Sequence, residues 1–404
     1  MIEHVDIAII GGGPVGASLA LGLQGSGLSV AVLEAREKLE VADPRALALS
    51  QGCRLTLERL GAWEALAPDA TAIETIHVSQ RGGLGRAVLT REDAGVPALG
   101  YVAEYGALVA ALAGRLLACD ATVVTGARVT DVAATSAYAA VRYQRGGAEH
   151  LLTARMAVLS EGGRALPAHM RQDKDYGQSA VIATVSTQRP HGRRAYERFT
   201  AEGPIALLPL DAASLLHAPS PPAPPPPTGE GSYALVWTTP SAQVEERLAL
   251  GDADFLAQLQ VAFGDRQGRF THAGPRAAFP LKLTLAAESK SPRIQRIGNA
   301  AHVLHPVAGQ GFNLGVRDAW HLAQRILDTP RERLGEAAMS NAYAAERRFD
   351  VLGGSLMTDI LVEAFSNDRP LLGHARGAAL ILLDLLPPLK TLFARKMMFG
   401  AQAW

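Results

Sequence analysis

The chain has 404 residues, 48% of them hydrophobic and 19% charged; that length exceeds what one ordinary hydrophobic core holds, so two closely packed domains are expected. With 39 basic and 39 acidic residues the net charge is zero, which gives no case for nucleic acid as a partner. Two cysteines, Cys53 and Cys119, cannot build a disulfide framework or a thiolate metal cage, and no apolar run approaches the roughly 20 residues of a membrane-crossing helix.

The N-terminus has no basic n-region or cleavage site, and a cytoplasmic protein is expected. It runs straight into "HVDIAII" (His4–Ile10), which reads as a buried parallel strand. A glycine turn follows, then the helical pattern "PVGASLALGLQGSG", ending at Gly25 and Gly27, and a second buried strand, Leu28–Glu34. The chain therefore opens on a βαβ unit. "RALALSQGCRLTLERLGAWEAL" reads as helix from Arg45 onward, "TIHVSQRGGLGRAVL" as a hairpin and "YGALVAALAGRLLA" as helix. Strands are expected from "ATVVTGARVTDVA" through "AVLSEGG", and residues 176–285 read as a second, β-rich domain. Within it Ala218–Gly231, "APSPPAPPPPTGEG", favours polyproline II and reads as a solvated loop. A long helix is expected from Phe312 to Leu327, and apolar helix from Leu371, interrupted by Pro387 and Pro388.

Two stretches carry chemistry. Gly11-Gly12-Gly13-Pro14-Val15-Gly16 satisfies G-x-G-x-x-G between a strand and a helix, with Glu34 ending the next strand. Gly11 permits the tight turn, Gly13 lets the backbone approach a pyrophosphate, and Gly16 lets helix and strand pack closely. The helix start presents free N–H groups and partial positive charge, and Glu34 is spaced to accept hydrogen bonds from an adenosine ribose. The second stretch, "RIGNAAHVLHPVAGQGFNLGVRDA" (Arg296–Ala319), again reads strand, loop, helix, with Gly309 and Gly311 flanking Gln310 at the helix start. Leu314, Ala319, Leu322, Ala323 and Ile326 give that helix a buried face. Bare N–H groups there suit an electron-rich, partly anionic ring such as the isoalloxazine of a reduced flavin.

These two stretches together resemble the FAD-dependent aromatic hydroxylases of the para-hydroxybenzoate hydroxylase class. Among these, "AYERFTAEGPIALLPL" (Ala195–Leu210), "FPL" (Phe279–Leu281) and Gly298-Asn299 are similar to the ubiquinone-biosynthesis hydroxylases of the 2-polyprenyl-6-methoxyphenol 4-hydroxylase branch. The resemblance covers nearly the whole chain except the proline-rich run. It implies an α/β fold: a Rossmann-like FAD-binding domain (1–72, 101–175, 286–345), a β-rich substrate domain (hairpin 73–100, then 176–285) and C-terminal helices (346–404).

The same resemblance implies FAD as cofactor, NADH or NADPH as transient reductant, and O₂. Oxygen would pass from a flavin C4a-hydroperoxide to the ring of a hydrophobic polyprenyl phenol. Gly11, Gly13, Pro14, Gly16 and Glu34 would hold the ADP half, with Arg45 near the flavin and pyrophosphate. Pro306, Gly309, Gln310, Gly311, Phe312 and Asn313 would line the ring. Two positions depart from the family pattern. Asn299 stands where many relatives carry Asp, and Glu161-Gly162 where many carry Asp-Gly. Both retain a hydrogen-bond acceptor.

His305, Pro306 and Gln310 are the candidates nearest the reacting ring. His305 would take a polar role toward substrate; the alternative makes His302 and His305 structural loop donors. No metal site is expected, because no other ligand cluster accompanies "HVLH". The C-terminal segment sets Lys390, Arg395 and Lys396 among apolar residues. It would lie in a membrane interface, on the inner face, or dock on the FAD domain and meet other ubiquinone-biosynthesis proteins. Two rival readings use the same scaffold: a flavin reductase or dehydrogenase acting on an isoprenoid, and a non-catalytic FAD-binding scaffold.

Overall fold

Val30–Leu33 is wholly apolar and His4–Ile10 nearly so, the pattern of strands covered on both faces, and the two lie parallel as neighbours in one sheet. The computed structural model describes residues 4–83, 85–161, 171–211, 231–286, 291–303, 309–365 and 370–400, with the side chains of 171–172, 355–365 and 370–375 excepted. The proline-rich run is outside it up to residue 230, as are His305 and Pro306.

In chain order the first part comprises β1 (His4–Ile10), α1 (Pro14–Gly22), β2 (Val30–Leu33), β3 (Ala46–Ser50), α2 (Gln51–Arg59), α3 (Trp63–Leu66), β4 (Thr71–Ile73), β5 (Thr75–Gln80), β6 (Arg86–Thr90), α4 (Arg91–Ala94), β7 (Gly100–Glu104) and α5 (Tyr105–Leu117). There follow β8 (Thr122–Val124), β9 (Arg128–Ala134), β10 (Ala139–Arg145), β11 (Ala148–Leu159), β12 (Arg171–Thr187), β13 (Arg194–Thr200), β14 (Gly203–Leu210) and β15 (Gly231–Pro240). The remainder is α6 (Val244–Ala249), α7 (Asp252–Phe263), β16 (Phe270–Ala273), β17 (Ala277–Ala286), β18 (Ile294–Arg296), β19 (His302–Val303), α8 (Gln310–Leu327), α9 (Ala337–Phe365), α10 (Pro370–Leu385) and α11 (Pro387–Phe399).

The first sheet runs β8-β2-β1-β11-β10-β9, with β18 also on β11. Parallel pairing of β1 with β2 and β11 puts the ends of β1, β2 and β18 at one edge, where the glycine turns begin. One face of this sheet buries Ile7, Ile9 and Val32 against α1, α5 and α8. The second sheet runs β19-β17-β12-β15-β14-β13-β5-β6, with β16 on β12. The β5–β6 hairpin, far upstream in sequence, is joined to it through parallel β5–β13 pairing.

The two faces of the second sheet differ. One buries Tyr196, Tyr233 and Trp237 under Phe255 and Leu259 of α7. The other packs Ala195, Leu208, Leu210 and Ala234 against Ala46 of β3 and Val102 of β7, which belong to the small third sheet β3-β7-β4. That second face therefore looks toward the first domain.

One expectation is corrected. Ala46–Ser50 is a strand, and the helix begins only at Gln51. Antiparallel pairing with β7 satisfies the backbone of Ala46–Ser50, and tertiary pairing overrides local helix propensity. The Ser50 hydroxyl accepts the Cys53 N–H at 3.2 Å and so sets the helix start.

Candidate active site

The first cradle is built where β1 gives way to α1. Gly11 has φ +102° and donates its N–H to Leu33 O at 2.8 Å. A Cβ at Gly11 would lie 2.9 Å from the Glu161 nitrogen, and one at Gly16 would lie 2.0 Å from Gly11 O. Both positions demand glycine on steric grounds. Gly13 differs: its backbone is extended and, among the described residues, nothing lies within 4 Å of where its Cβ would be. No side chain caps the start of α1, and Pro14 stands in its first turn. That leaves the pattern of bare N–H groups and positive dipole that binds phosphate.

Glu34 sits over this turn. Its Oε2 accepts the Gly12 N–H at 2.8 Å, and its Oε1 accepts the Arg36 N–H and Nε–H, each at 2.9 Å. Burial works to raise the Glu34 pKa, but the hydrogen bonds and charge of Arg36, aided by Gly12, outweigh it and hold the carboxyl below its ordinary value. Glu161, directly after β11, goes the other way: burial first, then the negative charge of Glu34, push it up. Two carboxyls of unequal acidity thus flank the glycine turn, both equipped to accept hydrogen bonds from hydroxyl groups.

The second cradle follows β18. Gly298, Asn299 and Ala300 form one tight turn with Asn299 exposed. Asp318 of α8 holds that turn by accepting the Gly298 N–H at 3.0 Å. The same carboxylate lies 2.6 Å from His302 Nε2 and accepts from Arg347 Nε at 2.9 Å. Burial would raise the Asp318 pKa, yet the His302 contact, Arg347 and the Gly298 N–H bring it to about 2. His302 is therefore a structural partner of Asp318.

Helix α8 begins after Gly309, which is left-handed at φ +60°, and no side chain caps this start either. Among the described residues nothing lies within 4 Å of a Cβ placed on Gly311. Phe312 is half-buried and packs on the first-domain core. The half-buried Gln310 has its amide Nε2 3.5 Å from Met397 O of α11. The Asn313 amide is engaged by the protein's own backbone: it accepts from Ser50 N at 2.8 Å and donates to Ala48 O and Gly309 O at 2.9 and 2.7 Å. It ties β3 to the helix start. Arg45, just before β3, is hydrogen-bonded by Nε to Asp43 at 2.9 Å, and its guanidinium lies 5.4 Å from the Tyr105 ring centroid and 5.2 Å from that of Phe279. Arg45 thereby spans from the first domain to β17 of the second sheet.

Close packing brings the two cradles together. Val15, one residue into α1, stands 3.1 Å from the Cβ position of Gly298 and 3.0 Å from that of Gly315 in α8. A side chain at either glycine would press on Val15, and Gly298 is also left-handed at φ +58°. Two bare helix starts, the exposed Asn299 and an acid over the first are the groups that could hold a cofactor here. The open positions at Gly13 and Gly311 fit a dinucleotide, with a diphosphate at α1 and an electron-rich ring at α8.

The comparison with known families decides the cofactor: residues 4–351 match the model of the FAD binding domain family. The chain belongs to that family. Ubiquinone hydroxylase UbiL of Rhodospirillum rubrum is 34% identical, covering 97% of this chain and 89% of its own length. The 3-demethoxyubiquinol 3-hydroxylase of Escherichia coli is 28% identical over 96% of this chain and 97% of its own. In three dimensions p-nitrophenol 4-monooxygenase PnpA from Pseudomonas putida superposes with a TM-score of 0.75 at 17% identity, covering 99% of this chain and 100% of that one, a likeness of fold. The flavoprotein is an FAD-dependent monooxygenase, with NAD(P)H the reductant typical of its class.

Sequence reasoning missed the Asp318–His302–Arg347 cluster. The available signal was an acid at Asp318 on the face of α8 that also carries Leu314 and Leu322, where a buried charge requires partners.

The glycines separate fold from ligand. Gly13→Ala and Gly311→Ala should leave the melting temperature of the FAD-free protein unchanged or slightly raised, while weakening FAD binding about tenfold or more, about 1.4 kcal/mol. Gly16→Ala should lower the melting temperature itself. Thermal shift with and without added FAD reads both effects, and equal FAD affinity in all three variants would contradict the placement.

Proposed function

We propose that this monooxygenase hydroxylates the ring of a polyprenyl phenol on the route to ubiquinone, with 2-polyprenyl-6-methoxyphenol as its substrate. The observation that supports the reading is the apolar cluster where the second sheet meets β3 and β7: Ala195, Leu208, Leu210 and Ala234, packed with Ala46 and Val102. A prenylated ring suits such a wall and a sugar or nucleotide does not. Two relatives named as ubiquinone-pathway hydroxylases support the same substrate class. The branch choice rests on the likeness of "AYERFTAEGPIALLPL".

When bound, FAD supplies two-electron exchange with NAD(P)H and the activation of O₂ for transfer to an electron-rich ring. The chain's own residues do the rest. The start of α1 and its glycine turn hold the diphosphate, and Glu34, with Glu161 nearby, accepts hydrogen bonds from ribose hydroxyls. Uncapped N–H groups of α8 face negative charge on the ring. Asn313 keeps that helix start fixed against β3, while the apolar sheet face excludes water from the oxygen-transfer step.

A hydrophobic substrate must be collected from a lipid surface. Helix α11 docks on the molecule through Ala394 and Met398. Leu382, Leu385, Leu386, Leu389 and Leu392, on α10, α11 and the corner between them, are exposed. No single helix among the described residues is long and apolar enough to cross a membrane; α10 and α11 pass that test only as a pair bent by 101°. We read the leucine surface as lying on the membrane interface, with Arg395 and Lys396 beside it.

The holoprotein supplied with NAD(P)H, a short-chain prenyl methoxyphenol and isotopically labelled O₂ should release hydroxylated product carrying one labelled oxygen per nicotinamide oxidised. Label drawn from water, or turnover under nitrogen, would remove the monooxygenase assignment for this substrate. Changing Leu385 and Leu389 together to Ser should abolish co-sedimentation with anionic phospholipid vesicles while leaving FAD content intact; undiminished co-sedimentation would refute the interfacial role.

A further inference from the structure

Strands β5, β6, β13, β14 and β15 contain one carboxylate among their described residues, Glu197 of β13. Its place follows from register. Glu197 pairs with Ala206 of β14 on one side and Val78 of β5 on the other. Side chains alternate along a strand, so Glu197 shares a face with Ala195 and Phe199. Ala195 belongs to the cluster that includes Ala46 of β3, the strand tied to the start of α8. Phe199 packs with Leu380 of α10. Glu197 thus stands between the flavin-side wall and the outer helix, about 7 Å along the strand from each neighbour on its face. Tyr196 and Arg198 point to the opposite face, toward α7 and Ser79. Among the described residues the Glu197 carboxylate has no hydrogen-bond or ion-pair partner.

A carboxylate on an apolar wall without a partner destabilises the fold unless it serves a ligand. We propose that Glu197 is a catalytic acid–base group of the substrate site, accepting the hydrogen bond of the phenolic hydroxyl and taking its proton as the ring is hydroxylated. This rests on the phenol reading above and deepens it. The phenolic O–H bond breaks and its proton goes to the Glu197 carboxylate. The electron pair left on oxygen moves into the ring as a ring carbon bonds to the transferred oxygen. That carbon loses its hydrogen as a proton on rearomatisation, and Glu197 returns its proton to the phenol oxygen. NAD(P)H is oxidised and O₂ reduced, with the second oxygen atom leaving as water; Glu197 ends as it began.

Among the described residues it is burial that pushes the Glu197 carboxyl up to about 7. That lessens the mismatch with a phenol, whose ordinary pKa is about 10, and leaves an effective base near neutrality. The ionisable groups on the elements packed around this face are accounted for as follows. Arg45 pairs with Asp43. Glu104 ends β7 beside Ala46. On α10, Asp384 accepts the Val88 N–H and pairs with Lys390, and Arg376 is buried. Helix α9, which also packs on β14, carries Asp359 and Glu363 among residues whose side chains are not described. The side chain of His374 on α10 likewise lies outside those described, and among the described residues no charged neighbour contributes to the shift of Glu197.

The test uses the holoprotein with a short-chain prenyl methoxyphenol, its methyl ether, and the variants Glu197→Gln, Glu197→Asp and Glu197→Leu. Binding to the oxidised protein is followed by the change in its visible absorbance, without reductant. Wild type should prefer the phenol over the ether about tenfold, and Glu197→Leu should abolish that preference while melting no lower than wild type. In turnover, the wild-type hydroxylation rate should fall as pH drops through about 7. Glu197→Gln should cut it about a hundredfold and flatten that acidic limb, with Glu197→Asp recovering part of the rate. Variants that match wild type in both phenol preference and pH profile overturn the proposal and leave the phenol reading standing. Should Glu197→Leu not fold, Glu197→Gln alone decides through the pH profile. A wild type that neither binds nor hydroxylates the phenol overturns the proposed function and this proposal together.

Discussion

Val15 lodged against Gly298 and Gly315 is the contact on which the site depends. It sets α1 and α8 so close that the turn before α8 rests on the first turn of α1. Each of those helices starts without a side-chain cap. Ordinarily such an end is satisfied by Ser, Thr or Asp at low expense; here two neighbouring ends forgo it. Their N–H groups and dipoles are thereby kept for a ligand that supplies negative charge at two separated points, as a flavin dinucleotide does.

Around that contact the polar groups divide into those that brace and those that face the ligand. Asp318 is fully engaged with Gly298, His302 and Arg347, and Asn313 with Ala48, Ser50 and Gly309. Both are buried, and the partners just named all belong to the protein itself. Glu34 retains lone pairs over the glycine turn, while no described residue lies within 4 Å of a Cβ placed on Gly13 or Gly311. The second sheet divides by face in the same manner. Its aromatic side is closed by α7, and its aliphatic side is turned to the first domain with one carboxylate in the middle.

The fold class and the glycine turn at the start of α1 were legible because they depend on local chemistry: Gly11, Gly13, Gly16 and Glu34 stand at fixed offsets within one βαβ unit. The start of α8 was legible from the glycines around Gln310. What escaped depends on distant pairing. Ala46–Ser50 reads as helix until β7 pairs with it, some fifty residues downstream. The hydrogen bonds of Asn313 to Ala48 and Ser50 appear only once β3 is placed beside α8. Glu197 looks like any surface acid in "AYERF"; only the register of β13 with β5 and β14 turns it onto an apolar wall. The C-terminal segment was open between docking and a lipid surface, and α11 shows a buried side at Ala394 and Met398 together with exposed Leu389 and Leu392.

Hydrogen–deuterium exchange at the backbone amides of Val15, Gly16, Gly311 and Phe312, compared without and with saturating FAD, tests the central claim most directly. The account predicts that exchange slows at both helix starts together. Protection confined to α1, or absent from both, would contradict it.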